Sequence, residues 1–144
     1  MHEPIKTRLI TQEKVIFEGE VRSVVAPAAN GQLGILSKHA PLMAALGRGV
    51  LKITVGTEKK FFAIVGGFLQ VKDNNLILLA DQAVPADNID RVEAEERVTL
   101  LRSKLDTGGV KGKEKWSLAG ELEQAKVLAH AARLFEDERQ LART

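Results

Sequence analysis

Cysteine and tyrosine are both absent from the 144 residues, and each absence removes a class of function. Without cysteine there is no disulfide framework, no thiolate metal site and no sulfur nucleophile, and a reducing compartment is permitted. Aromatic residues make up only 4%, with a single Trp at position 116, so aliphatic side chains must fill the core and no aromatic platform exists for a stacked sugar or base. No apolar run approaches the roughly 18 residues that cross a bilayer. The start, Met1-His2-Glu3-Pro4, has neither the basic and apolar regions of a secretory signal nor the arginine-rich pattern of a transit peptide, which predicts a mature protein that begins where it is made. The formal net charge of +2 is spread among acidic residues, and the chain lacks the Lys/Arg block that tracks a phosphate backbone, so nucleic acid is not an expected partner. No internal repeat of about 20 to 50 residues is visible, which excludes a solenoid or propeller.

What remains is a chain with 44% hydrophobic and 28% charged residues, the balance of a soluble globular protein, written in two unlike halves. Over residues 5–79, short β-branched or apolar runs are broken about every 8 to 12 residues by Gly, Asn, Asp or Pro, the pattern of an antiparallel β-sandwich. Leu51, Ile53 and Val55 alternate with Lys52 and Thr54, and Phe62 and Ile64 with Phe61 and Ala63. One set on each strand is therefore expected to face inward, giving a half-buried sheet. The runs 69–72 and 76–79 read as the arms of a hairpin turned by Asp73-Asn74-Asn75, and Gly66-Gly67 just before it marks a bulge or sharp bend. Residues 1–86 are assigned on this basis to an all-β sandwich domain.

After Asp81 the period changes to that of helices. Pro85 closes the sheet region, Asp87 can cap the next segment, and Ala94, Val98, Leu101 and Leu105 fall on one helical face. A second helix is predicted from near Ser117, with Leu118, Leu122, Ala125, Ala129 and Ala132 as its stripe, and residues 106–112 form the loop between, with Trp116 also placed in the interhelical connection. Residues 87–144 thus make an antiparallel two-helix hairpin. Its stripes are narrow and the second is largely alanine, which predicts a hairpin that packs against itself and the sandwich but is weakly held and able to open. Lys111, Lys113 and Lys115 at its tip are the one local basic patch.

No catalytic residue is identified. His2 lies at the terminus, His130 in the alanine-rich helix, and His39 beside Ala40-Pro41 reads as a structural or interface histidine. The histidines and carboxylates show no metal-ligand spacing, so no metal is expected. Ser23, Ser37, Ser103 and Ser117 sit in no nucleophile motif. The glycines at 31 and 34 lack the Lys-Ser/Thr of a phosphate-binding loop and precede no helix, so this segment is read as a turn.

The run Gly31-Gln32-Leu33-Gly34-Ile35-Leu36-Ser37-Lys38-His39-Ala40-Pro41-Leu42, followed by Gly49-Val50-Leu51-Lys52-Ile53 and Val65-Gly66-Gly67-Phe68-Leu69-Gln70-Val71, resembles the epsilon subunit of F-type ATP synthases. The run Thr11-Gln12-Glu13-Lys14-Val15-Ile16-Phe17-Glu18-Gly19 resembles that family's first hairpin. The resemblance implies a rotor subunit of the central stalk that couples the gamma subunit to the membrane c-ring and catalyses nothing. It implies a c-ring contact at Gly31, Gln32, Leu33 and Gly34, and a gamma contact at His39. Gln32 stands where the family often has Glu, and Ser37-Lys38 where it often has Pro-Gly. The carboxyl-terminal helices would extend to inhibit ATP hydrolysis, with Arg133, Arg139, Arg143, Lys111, Lys113 and Lys115 as candidate contacts to acidic segments of the catalytic alpha and beta subunits. Some relatives bind ATP through Ile-Asp-x-x-Arg-Ala. Here Ile89 and Asp90 are present but Glu93 replaces the arginine, so ATP binding is expected to be weak or absent and no other cofactor is implied. The expected location is the cytoplasmic face of the cell membrane, reached through the complex.

Two other readings compete. A free-standing sandwich could bind a ligand and use its helices to oligomerise, although the missing aromatic platform speaks against it. An enzyme built on His39 ranks third.

Overall fold

The computed structural model describes residues 3–143, so Met1, His2 and Thr144 lie outside it. Seven strands come first: β1 (Ile5–Ile10), β2 (Val15–Val21), β3 (Ser23–Ala28), β4 (Gly31–Ile35), β5 (Leu42–Val55), β6 (Glu58–Lys72) and β7 (Asn75–Pro85). A 3-10 turn at Ala86–Asn88 leads into α1 (Arg91–Asp106) and α2 (Lys113–Arg143). The all-β part followed by a helical hairpin is the architecture expected from the change of period.

The strands hydrogen-bond in the order β2-β1-β7-β6-β5-β3-β4, antiparallel except for the parallel pair β1 and β7. In a flat sheet β2 and β6 would be three steps, or about 14 Å, apart. The rings of Phe17 on β2 and Phe62 on β6 are instead 6.1 Å apart in an edge-to-face pair. The sheet therefore curls over itself into two layers, with Ile5, Leu9, Ile35, Leu51, Ile53, Ile64, Leu76 and Leu78 sealed between them.

The corner is built by glycine. Leu46, Gly67 and Ala80 form one cross-strand row and Arg48, Val65 and Gln82 another, leaving Gly47, Gly66 and Asp81 unpaired in the row between. Across that row the inward side switches parity. On β6 it passes from Phe62 and Ile64 to Leu69 and Val71, and on β5 from Leu42, Ala44 and Leu46 to Leu51 and Ile53. A strict period of two cannot do this without a break. Gly66 and Gly67 supply it with φ of 61° and 121°, and a Cβ on Gly67 would lie 1.9 Å from the Leu79 carbonyl oxygen. The expected bulge or bend is thus a distortion that inserts no residue, since the register is the same on both sides. It also explains why β5 and β6 reach 14 and 15 residues where shorter strands were expected.

Four local expectations are corrected. Gly31, Gln32, Leu33 and Gly34 are not a turn but the body of edge strand β4, paired with β3 after a turn at Ala29-Asn30. Asp87 sits inside the 3-10 turn, and the helix cap is Asp90, whose carboxylate accepts a 3.1 Å hydrogen bond from the Glu93 N–H. Helix α2 starts at Lys113, ahead of Ser117, so Lys113, Lys115 and Trp116 belong to its first turn. Finally, Phe61 and Ala63 are buried as fully as Phe62 and Ile64, because α2 covers the outer face of that part of the sheet.

The docking of α2 uses more surface than its predicted stripe. Leu118, Leu122 and Ala125 do pack toward Val98, Leu101 and Leu105 of α1. Farther along, a second face made by Val127, Leu128, Ala131, Leu134 and Phe135 lies on Val50, Phe61, Ala63 and Val84 of the sheet. A helix of 31 residues, roughly 46 Å long, is long enough to pack on a helix with one half and on a sheet with the other.

Candidate functional site

Two surfaces stand out, one on each half. The first is the outer face of the sheet on the far side of the glycine corner, which no helix covers. Cross-strand pairing places Ala45, Phe68 and Leu79 in one row and Met43, Gln70 and Ile77 in the neighbouring one. Met43 is 72% exposed, Phe68 62% and Leu79 53%, so the strip presents contiguous apolar side chains to solvent. Such a patch on a water-exposed sheet marks a docking surface. Sequence reasoning missed it. Which face Met43, Phe68 and Leu79 take is set by the parity switch at the glycine corner, which a strict period of two does not reveal.

His39 lies four residues before this strip, in the connection from β4 to β5. It is half-buried, its Nδ1 is 2.7 Å from the Ala40 carbonyl oxygen, and its N–H donates to the Leu36 carbonyl at 3.2 Å. Among the described residues its ring forms no hydrogen bond to a nucleophile or a carboxylate. The connection turns at Lys38, a non-glycine residue with φ of 62°. Gly31 and Gln32 lie at the opposite end of β4 from His39, exposed, while Leu33 packs against the core. His39 therefore lies at the end of β4 that leads into the strip, and Gly31 and Gln32 lie at the other end.

The second surface is the hairpin. Arg133 donates from Nη2 to Glu95 Oε1 at 2.8 Å, and Arg139 lies over the Phe135 ring at 5.6 Å. Arg143 closes α2, its side chain lying outside the described part. Lys111, Lys113 and Lys115 are exposed at the tip beside Trp116, which is 81% exposed. Arg91 donates from Nε to Glu136 at 2.6 Å and from Nη1 to Glu95 at 3.0 Å. These bonds raise the pKa of Arg91, Glu136 foremost, and hold that of Glu95 below its ordinary 4.5, chiefly through Arg133.

Ile89 packs against the Phe61 and Ala63 cluster, and Asp90 is occupied by the helix cap. Glu93 is exposed. Among the described residues no three His, Asp or Glu side chains converge as a metal site, and no helix is long and apolar enough to cross a membrane.

Residues 4–86 match the family model described as ATP synthase, Delta/Epsilon chain, beta-sandwich domain. The ATP synthase epsilon chain of Leptospira borgpetersenii is 42% identical over 101 residues, covering 70% of this chain and 79% of the relative. The chain belongs to the ATP synthase epsilon-chain family. The epsilon chain of Desulforamulus reducens is 44% identical over 105 residues, covering 68% and 80%. The chloroplastic epsilon chain of Porphyra purpurea is 32% identical over 128 residues, covering 89% and 95%. In three dimensions, a chain of the Euglena gracilis mitochondrial ATP synthase OSCP/F1/c-ring assembly superimposes with a TM-score of 0.78 at 24% identity, over 89% of this chain and 81% of that one. The likeness supports the fold. The family reading from residues 31–81 and the epsilon-chain assignment therefore agree.

Proposed function

We propose that this chain is the non-catalytic rotor and regulatory subunit of an F-type ATP synthase, held at the cytoplasmic face of the membrane by the complex. The observation that carries this reading is the uncovered apolar strip of Met43, Phe68, Ile77 and Leu79 in a chain of the epsilon family. Removing that strip from water against a partner is favourable in proportion to its apolar area, and Trp, Phe and Met side chains of this kind anchor interfaces. The strip and His39 form the face toward the gamma subunit, and the exposed Gly31 to Gly34 edge strand meets the c-ring. Torque passes through a sandwich stiffened by seven strands hydrogen-bonded neighbour to neighbour.

The helical half acts as a brake. In the compact form α2 lies on the sheet, and in the extended form its arginines and the lysine tip reach the alpha and beta subunits. Nucleotide does not hold the compact form, because Ile89 and Asp90 are already engaged and Glu93 places negative charge where a phosphate partner is expected.

The test uses a chain that can be prevented from opening. Gln124 Nε2 donates to Gln82 Oε1 at 2.9 Å, so Gln82→Cys and Gln124→Cys joined by a short bis-maleimide pin α2 to β7. The cross-linked chain should bind the catalytic complex carrying gamma as tightly as the uncross-linked variant, yet fail to suppress ATP hydrolysis. Equal suppression by the pinned and free forms sinks the brake. Failure of both to bind sinks the rotor assignment and favours the ligand-binding sandwich.

A further inference from the structure

We propose that Arg91, Glu95, Arg133 and Glu136 form an electrostatic latch on the compact hairpin, in which Glu95 bridges an arginine of each helix. The inference rests on the reading that the hairpin opens. Its basis is the division of labour within one carboxylate. Glu95 Oε2 takes Arg91 of its own helix at 3.0 Å, and Oε1 takes Arg133 of α2 at 2.8 Å. Arg91 then reaches across to Glu136 at 2.6 Å, so two charges on each helix close a neutral quartet with two bonds between the helices.

The position makes the quartet a latch and not a decoration. Arg91 is the first residue of α1 and follows Ile89, which is packed on the sheet, so its backbone belongs to the anchored base of the hairpin. Arg133 and Glu136 flank Leu134 and Phe135, the part of α2 that lies on the sheet. The quartet thus ties the segment that must leave to the segment that stays. Ala94 and Ala132, the buried neighbours of Glu95 and Arg133, each bury a single methyl group, so at this level the two helices are joined mainly by the charges, while Leu134 and Phe135 grip the sheet. An isolated surface pair would add almost nothing, but a carboxylate shared by two guanidinium groups in a connected network is the exception. Lys126 and His130 line the same cleft, and Lys126 is held by Glu123 of its own helix at 3.1 Å, outside the quartet.

Such a latch responds to ionic strength, because exposed pairs are screened by salt.

The experiment exploits the lack of native cysteine. Ala131 is fully buried between α2 and the sheet, so the thiol of Ala131→Cys in the full chain reacts with a maleimide only when α2 lifts. Adding Glu95→Gln and Glu136→Gln should raise the labelling rate roughly three- to tenfold at low salt, and the difference should shrink at about 1 M salt. Arg91→Gln in that background should add little, since its partners are already neutral. Ala26→Cys, buried in the sandwich core, reports whether the whole domain loosens. An unchanged rate at Ala131→Cys overturns the latch, and so does an equal rise at Ala26→Cys. Hydrolysis by the assembled complex separates the two readings: faster labelling with unaltered inhibition supports the latch while removing the brake.

Discussion

Asn74 Oδ1 accepts a 2.6 Å hydrogen bond from the backbone N–H of Lys38, joining two connections that lie 36 residues apart in the chain. One is the β6–β7 turn, where Asp73 and Asn74 have φ of 51° and 60°, the pairing that a tight two-residue hairpin requires. The other is the β4–β5 connection that carries His39. The bond ties the backbone next to the histidine to the β6–β7 turn, without either segment belonging to regular structure.

Lys38 has a left-handed backbone that an L side chain adopts at a cost of about 1 to 2 kcal/mol. Lys38→Gly should therefore stabilise the chain, by about 1 kcal/mol after the entropy of the unfolded glycine is offset. Asn74→Gly keeps the turn but removes the side-chain acceptor, and should cost about 1 kcal/mol. Chemical denaturation of the two variants and their combination measures both.

Gly67 leaves no room for any side chain, because a Cβ would fall 1.9 Å from the Leu79 carbonyl oxygen. Gly67→Ala should destabilise the sandwich by roughly 4 kcal/mol or prevent folding, whereas Gly34→Ala, with open space around its Cβ, should change stability by less than about 1 kcal/mol. Thermal unfolding followed by circular dichroism distinguishes the corner from the edge strand.

Phe68 is exposed, so Phe68→Asp should leave stability within about 0.5 kcal/mol of the parent. The same substitution should abolish or greatly weaken association with the gamma-containing complex, because it buries an unpaired charge at the proposed interface. Unfolding and binding measured on one preparation make the check, and loss of stability without loss of binding would contradict the outward role of the strip.

Glu95 titrates below its ordinary 4.5 in the folded chain, mainly because Arg133 and then Arg91 hydrogen-bond its charged form. A lowered carboxylate contributes stability that is fully present above 4.5 and disappears as pH falls through the folded-state value. Labelling of Ala131→Cys, corrected for thiol ionisation, should be flat through neutral pH and rise only below 4.5, and Glu95→Gln should flatten that rise.

Residue patterning determined much by itself. The two-part architecture followed from the change of period near Asp81, because a strand and a helix repeat their buried positions at different intervals. The hairpin turned by Asp73-Asn74-Asn75 followed from residues that tolerate a left-handed backbone, although only Asp73 and Asn74 form the turn and Asn75 already pairs with Lys72 as the first residue of β7. The inner stripe of α1 followed from Ala94, Val98, Leu101 and Leu105. The family resemblance rested on local runs, which need no knowledge of what packs where. Three-dimensional packing decided the rest. Phe61 and Phe62 look alike in a list, yet one lies under α2 and the other inside the sandwich. Phe68 and Leu69 are neighbours, yet the glycine corner turns the first to solvent and the second inward. The cross-helix partners of Arg91 and Arg133 were invisible in sequence because Glu136 and Glu95 lie 45 and 38 residues away from them. Local propensity sets which element a residue joins. Which face of that element meets water depends on contacts between residues far apart in the chain, and only the fold supplies them.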